Sequence, residues 1–241
     1  MSEPNSSLPL ILSCEHATAQ VPTEFESLFH SAKSVIRSHR GWDPGAIEAA
    51  VQFQAKFACP LLQGSMNRLV VELNRSLDSS ALWSEFSDRL PASTKAALLK
   101  GIYHPYRQTV EEAARKVQSD QGTVIHLSVH SLTPELNGQC RDFDIALLFD
   151  PQRPMEVELC EIWSHHMQAI DASLRIAFNT PYKGTDDGLV ESFRRQFDEK
   201  AYIGIEIEYN QSLLRNLNRW REVVQTSVEG LARATKTEPH P

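Results

Sequence analysis

The sequence predicts an α/β fold in three layers, a largely parallel sheet with helices on both faces. Two observations predict it. Short runs rich in Ile, Val and Leu alternate with long amphipathic stretches along most of the chain, which is the pattern of interleaved strands and helices. Several short runs are apolar at consecutive positions, as strands covered on both faces require.

Strands are read over Leu8–Ser13, Arg68–Leu73, Thr123–Val129, Asp144–Phe149 and Tyr202–Glu208. Helices are read over Pro44–Phe57, Pro91–Asp120, Pro154–Ile170 and Gln211–Thr235, the second broken near His104-Pro105, where a proline removes an N–H. Pro44 and Pro154 suit a first turn, whose N–H groups have no helical partner. The last helix is amphipathic, and packing on its own sheet is the reading adopted. No Gly/Ser/Pro linker or repeat interrupts the chain, so residues 1–241 are read as one domain. The polar, Pro-containing ends 1–7 and 235–241 are expected to be flexible.

The net charge of −7 comes with no basic stripe, which argues against a nucleic-acid partner. An anionic substrate would have to be received by local arginines or a metal. The segment Met1–Ser7 carries no basic region, and Leu8–Leu12 is too short for a signal peptide or a membrane span. A cytoplasmic enzyme without a membrane partner is therefore expected. Cys14, Cys59, Cys140 and Cys160 are scattered and form no CxxC pair, so they read as reduced and mostly buried thiols.

In an open parallel sheet, chemistry gathers at the carboxyl ends of the strands. Those ends carry Glu15-His16, Glu72-Leu73-Asn74-Arg75, His130-Ser131 and Glu206-Ile207-Glu208. Imidazole and carboxylate bind zinc, and a catalytic zinc keeps a position open for water. His16, His130 and one carboxylate would supply three ligands. Glu208 or Glu206 would be the base. Asn74 and Arg75 would hold a substrate carboxylate, since guanidinium binds it through two parallel hydrogen bonds. Each feature also has a plainer explanation. A strand-end histidine can be structural, Asn74-Arg75 a cap with a surface ion pair, and Asp43-Pro44-Gly45 a helix N-cap. His165-His166 lacks a partner at metal spacing and reads as surface or packing. No Gly-x-Ser-x-Gly elbow is present. Cys14 beside His16 is read as a buried structural thiol rather than a nucleophile.

These motifs resemble the N-formylglutamate amidohydrolase family. The matching pieces run in order through Ser13–Ala17 with Val21-Pro22, Gly41–Gly45, Asn67–Arg75, Tyr103–Arg107, Val129–Pro134, Arg141–Ile145, Asn179–Gly184 and Gly204–Asn210. The first of them, Cys14-Glu15-His16-Ala17, is less similar to the branch that acts in histidine breakdown. The resemblance implies a mixed, mostly parallel sheet like that of zinc carboxypeptidases and aspartoacylases. It also implies a metal-dependent hydrolase that cleaves the amide of an N-acyl acidic amino acid such as N-formylglutamate.

By resemblance, zinc or another divalent metal is held by His16 and His130, with Asp43 as third ligand and Glu15 as the alternative. Glu208 is the general base, and Glu206 orients Glu208 or a ligand. Arg68 polarises the scissile carbonyl or binds the acyl group. Asn74 and Arg75 clamp the α-carboxylate, and Arg141 receives an acidic side chain. The chain departs from the pattern in three places. Ala19 stands where zinc carboxypeptidases place a glutamate, Glu72 where the family often has Asp, and Leu132 where it often has Phe. A deacylase or peptidase on other N-acyl amino acids, and a non-catalytic binding module for acidic metabolites, remain alternatives. The acyl group, native metal, oligomeric state and pathway are left open.

Overall fold

A computed structural model describes residues 8–236. The end 1–7 and residues 237–241 lie outside the described residues, and with them most of the segments expected to be flexible. Thr235 and Lys236 form a hydrogen-bonded turn on the last helix.

The chain runs β1 (Leu10–Cys14), α1 (Lys33–Ile36), α2 (Ala46–Phe57), β2 (Leu61–Gln63), α3 (Ala92–Leu98), α4 (His104–Gln121) and β3 (Val124–Leu132). It continues with β4 (Glu135–Leu136), β5 (Gln139–Cys140), β6 (Ile145–Leu148), α5 (Pro154–Ile170), β7 (Ile176–Phe178), α6 (Leu189–Arg194), β8 (Tyr202–Asn210) and α7 (Leu217–Ala234). Six strands form one sheet in the order β2-β1-β3-β8-β6-β7. Strands β2, β1, β3 and β8 are mutually parallel; β6 runs antiparallel to β8 and carries β7 parallel to it. The predicted α/β class with a mixed, mostly parallel sheet is what the chain adopts.

Alternation along β3 and β8 separates two environments. Ile125, Leu127, Val129, Ile203, Ile205, Ile207 and Tyr209 pack with Ala49 and Phe53 of α2, Trp163 of α5 and Trp220 and Val224 of α7. This face is the main core. On the opposite face, Ile11, Val124 and Tyr202 meet Val110 and Ala114 of α4 and Val190 and Phe193 of α6. That second apolar cluster covers only the amino-terminal half of the strands. Toward their carboxyl ends the same face carries Ser128, His130, Glu206 and Glu208, all buried.

The predicted strand Arg68–Leu73 is not formed. Asn67 turns the chain there. Its side-chain oxygen accepts from Leu69 N at 3.0 Å, and its amide donates to Ala19 O at 3.2 Å and Ile36 O at 2.9 Å. Leu69, Val70, Val71 and Leu73 are nevertheless buried, in a separate cluster with Phe29, Leu82 and Tyr103. An apolar run marks burial and leaves the backbone form undetermined.

The predicted break at His104-Pro105 is a wide turn over Leu99–Tyr103 that joins α3 to α4 without interruption. There the His104 N–H bonds Leu99 O, five residues back, immediately before the proline that has no N–H to give. Helix α5 spans Pro154–Ile170 as read from the sequence. The last helical stretch divides into a 3₁₀ turn, Gln211–Arg215, and α7, whose first turn is capped by Asn216 Oδ1. The short strands β2, β4, β5 and β7 and the helices α1 and α6 were not anticipated. Each has seven residues or fewer, too few for a periodic signal.

Candidate active site

Three kinds of element converge above the polar half of the sheet. Strand ends bring Glu15 and His16 from β1, His130 from β3, and Glu206 and Glu208 from β8. A Pro-Gly turn ahead of α2 brings Asp43. The turn depends on Gly45, whose φ of +87° lies in the left-handed region and where a Cβ would strike Trp220. The buried segment 67–75 brings Arg68, Glu72, Asn74 and Arg75. His16, Asp43, Arg68, Asn74, Arg75, His130, Arg141, Glu206 and Glu208 line one cavity of about 150 Å³, and Glu15, the alternative ligand, is not part of its lining.

At its base Asp43 Oδ2 lies 3.1 Å from His16 Nδ1 and 2.9 Å from His130 Nδ1. The imidazole centroids are 5.0 Å apart. Donor atoms of His16, Asp43 and His130 lie within 4.8 Å of one another, close enough to share one cation. Two imidazole nitrogens and a carboxylate oxygen are a fitting set for zinc. Charge supports the same conclusion. Asp43, Glu15, Glu72, Glu206 and Glu208 are all buried around this point, and the arginines whose charge acts on them include Arg68, Arg75 and Arg194. Buried carboxylates need compensating positive charge.

The far nitrogens of both rings are also engaged. His16 Nε2 is 2.5 Å from Glu72 Oε1, while Arg68 Nε donates to Glu72 Oε2 at 2.6 Å. His130 Nε2 is 2.8 Å from Ser128 Oγ and 3.2 Å from Glu15 Oε2. Ser128 and Tyr106 donate to Glu15 at 2.7 Å and 3.0 Å. Burial opposes charge on all of these groups, yet their partners outweigh it. Asp43, Glu15 and Glu72 are held below the usual carboxylate range, the first by His16 and His130, the second by His130, the third by Arg68 and His16. Glu15, the alternative third ligand, thus stands behind His130 while Asp43 faces both Nδ1 atoms.

Glu206 and Glu208 behave differently. Burial raises both, Glu208 to about 7. Glu208 Oε2 is buried with no hydrogen-bond partner among the described residues. A carboxylate poised near neutrality in a cavity has the protonation behaviour of a general base and acid.

The remaining side chains form the walls. Asn74 Oδ1 accepts from Leu189 N at 2.6 Å, and Arg75 donates to the carbonyls of Asn74 and Asp187 at 2.7 Å and 3.0 Å. Arg68 also approaches Asp43 Oδ1 at 3.5 Å. Arg141 lies over the Tyr182 ring at 5.3 Å and donates to its hydroxyl at 3.0 Å. Tyr182 and Lys183 line the same cavity; their motif was visible in the sequence but carried no assigned role. The partnership of Glu15 and Glu72 with the two histidines was also missed, because it joins residues 115 and 56 positions apart. Burial raises the Cys14 thiol well above its ordinary value, which removes it as a nucleophile. Of the four cysteines, Cys140 alone is exposed.

The N-formylglutamate amidohydrolase family matches residues 8–215. The chain belongs to that family. Its fold is shared with other solved proteins. The gene product Atu2144 of Agrobacterium tumefaciens superposes with a TM-score of 0.80 at 26% identity, over 94% of this chain and 90% of that one. An N-formylglutamate amidohydrolase from Ralstonia eutropha JMP134 superposes with a TM-score of 0.71 at 16% identity, over 95% of each chain. No curated protein matches the sequence. Membership in this amidohydrolase family makes hydrolysis of an amide on an N-formylglutamate-like substrate the chemistry against which the cavity is read. No described helix is long and apolar enough to cross a membrane.

Proposed function

We propose that the chain is a divalent-metal-dependent amidohydrolase acting on the amide of a small N-acyl acidic amino acid of the N-formylglutamate type. The observation that carries this reading is the meeting of His16 Nδ1 and His130 Nδ1 at one oxygen of Asp43, in a cavity that also holds the unpartnered Glu208. His16, Asp43 and His130 would hold zinc or another divalent ion, which when bound lowers the pKa of water and polarises a carbonyl.

The protein's own groups do the rest. Glu208 takes the proton of the attacking water and returns it to the departing amine. Glu206, two residues away on the same face, helps to keep Glu208 protonatable near neutrality by its charge. Arg68 faces the oxygen on which negative charge develops. Asn74 and Arg75 orient the α-carboxylate, and Arg141, braced on Tyr182, receives the side-chain carboxylate. The small cavity favours a short acyl group over a peptide. The presence of both a base and a complete ligand set weighs against a non-catalytic binding module.

Metal analysis of wild type beside His130→Ala tests the reading. About one zinc per chain in the wild type, lost in the variant, is the expected result. A wild type that stays metal-free after dialysis against zinc ends it.

A further inference from the structure

Resting on the metal-site reading above, we propose that Glu15 and Glu72 are positioning carboxylates. Each accepts the Nε2–H of one ligand histidine, so that each ring presents Nδ1 to the metal, and Glu15 is the stronger of the two. The geometry is specific. A histidine that binds a cation through Nδ1 must carry its proton on Nε2. Both Nε2 atoms face buried carboxylates, His16 at 2.5 Å from Glu72 and His130 at 3.2 Å from Glu15. Ser128 stands beside the second pair. Its hydroxyl donates to Glu15 at 2.7 Å, which leaves its oxygen free to accept from His130 Nε2 at 2.8 Å. Ser128 therefore repeats the demand that Nε2 be the protonated nitrogen. A carboxylate behind a ligand histidine fixes its tautomer and ring angle and raises its basicity.

The two carboxylates are not equivalent. Glu72 shares its charge with Arg68, whose Nε donates to Oε2 at 2.6 Å, and it also accepts from Asn74 N at 3.0 Å. Among the described residues Glu15 meets neutral hydroxyls, those of Tyr106, Ser128 and Ser13, besides His130. Its negative charge is available to the imidazole, whereas much of that on Glu72 is committed to a guanidinium. Removing the charge from Glu15 should therefore weaken metal binding more.

The test is zinc affinity measured by chelator competition without substrate, together with the visible spectrum of the cobalt-substituted protein. Glu15→Gln and Glu72→Gln are compared with wild type. Loss of such a partner costs about 10- to 100-fold in metal affinity. Glu15→Gln is expected near the upper end and Glu72→Gln near the lower. Both variants should keep one metal per chain, and their cobalt spectra should match wild type, because the ligand set is unchanged. Circular dichroism of the metal-free variants checks folding; a glutamine variant that fails it is replaced by Glu15→Asp or Glu72→Asp, which withdraws the carboxylate from Nε2. Variants that bind zinc as tightly as wild type overturn the inference and leave the metal site standing. An altered cobalt spectrum with loss of stoichiometric binding also overturns it, by making that carboxylate a ligand. A wild type that binds no zinc removes the site beneath it.

Discussion

Strand β3 carries two histidines on one face, four residues apart, and their surroundings are opposites. His126 sits in the inner half of the sheet. Its Nε2 is 2.8 Å from Ser13 Oγ and its Nδ1 is 2.7 Å from the Tyr202 hydroxyl. Both partners are neutral hydroxyls, and burial lowers the imidazole to about 4. His130 sits in the outer half and is buried as completely, but Asp43 and Glu15 flank it and raise it well above its ordinary value. Burial is common to both, so burial does not make the site. The carboxylates do: Glu15, Asp43, Glu206 and Glu208 crowd the outer half, where the apolar cluster around Phe193 and Tyr202 no longer reaches. One residue type on one strand face thus serves as structural pin in one half and as candidate ligand in the other.

Breaking the outer half should have the largest effect. Glu208→Gln is expected to lower kcat by about 10²- to 10⁴-fold, the range for loss of a positioned acid–base group. Zinc stoichiometry should stay unchanged. Turnover at wild-type level in that variant would remove Glu208 from its role. His126→Asn, in the inner half, should leave zinc content intact and instead cost about 1–3 kcal/mol of stability, because Ser13 and Tyr202 lose partners in a dry site. Urea unfolding at pH 7 measures this; loss of zinc from His126→Asn would erase the contrast between the two histidines.

The contrast sharpens with pH. His126 takes up its proton near 4 in the folded chain and near 6.5 when unfolded. Its contribution is therefore full above about pH 6.5 and is lost as pH falls toward 4, a change of about 3 kcal/mol. The stability gap between wild type and His126→Asn should narrow between pH 7 and pH 4.5. A gap that stays constant would mean that His126 is not buried as the neutral form.

The smallest effect belongs to the rim. Arg141→Ala is expected to raise KM for a dicarboxylic substrate by about tenfold, since hydrogen bonds to charged groups contribute about 1.5–3 kcal/mol. kcat should change little. An equal change for a substrate with a neutral side chain would show that Arg141 does not read that carboxylate.

Much of this arrangement was legible in the sequence, and the illegible parts share a cause. Strands β3 and β8 and helix α5 announce themselves through long apolar or amphipathic runs. The order of the motifs along the chain points to the family. The segment 68–73 misled because Leu69, Val70, Val71 and Leu73 are as buried as strand residues, while the turn is set by the side chain of Asn67. The edge strands β2 and β7 are three residues long and carry no period. Glu15 illustrates the difficulty at the site. Alternation along a strand does place it on the other side of the chain from His16, but only the β1–β3 pairing reveals that this side is the back of His130. Pair partners across a sheet depend on register, which a single sequence does not encode locally.

The failure of segment 67–75 to join the sheet has a consequence for how such a protein changes over time. Four of the groups assigned to bond cleavage, His16, His130, Glu206 and Glu208, stand at the ends of hydrogen-bonded strands; the other two, Asp43 and Arg68, stand on connecting segments. The groups assigned to reading the substrate, Asn74, Arg75, Arg141 and Tyr182, stand on connecting segments. A connecting segment tolerates replacement more readily than a central strand. On the proposed roles, exchange of the segments around Arg141 and Tyr182 would change which acylated acid is read and leave the strand-end groups in place, whereas segment 67–75 also carries Arg68 and Glu72 and is tied to them.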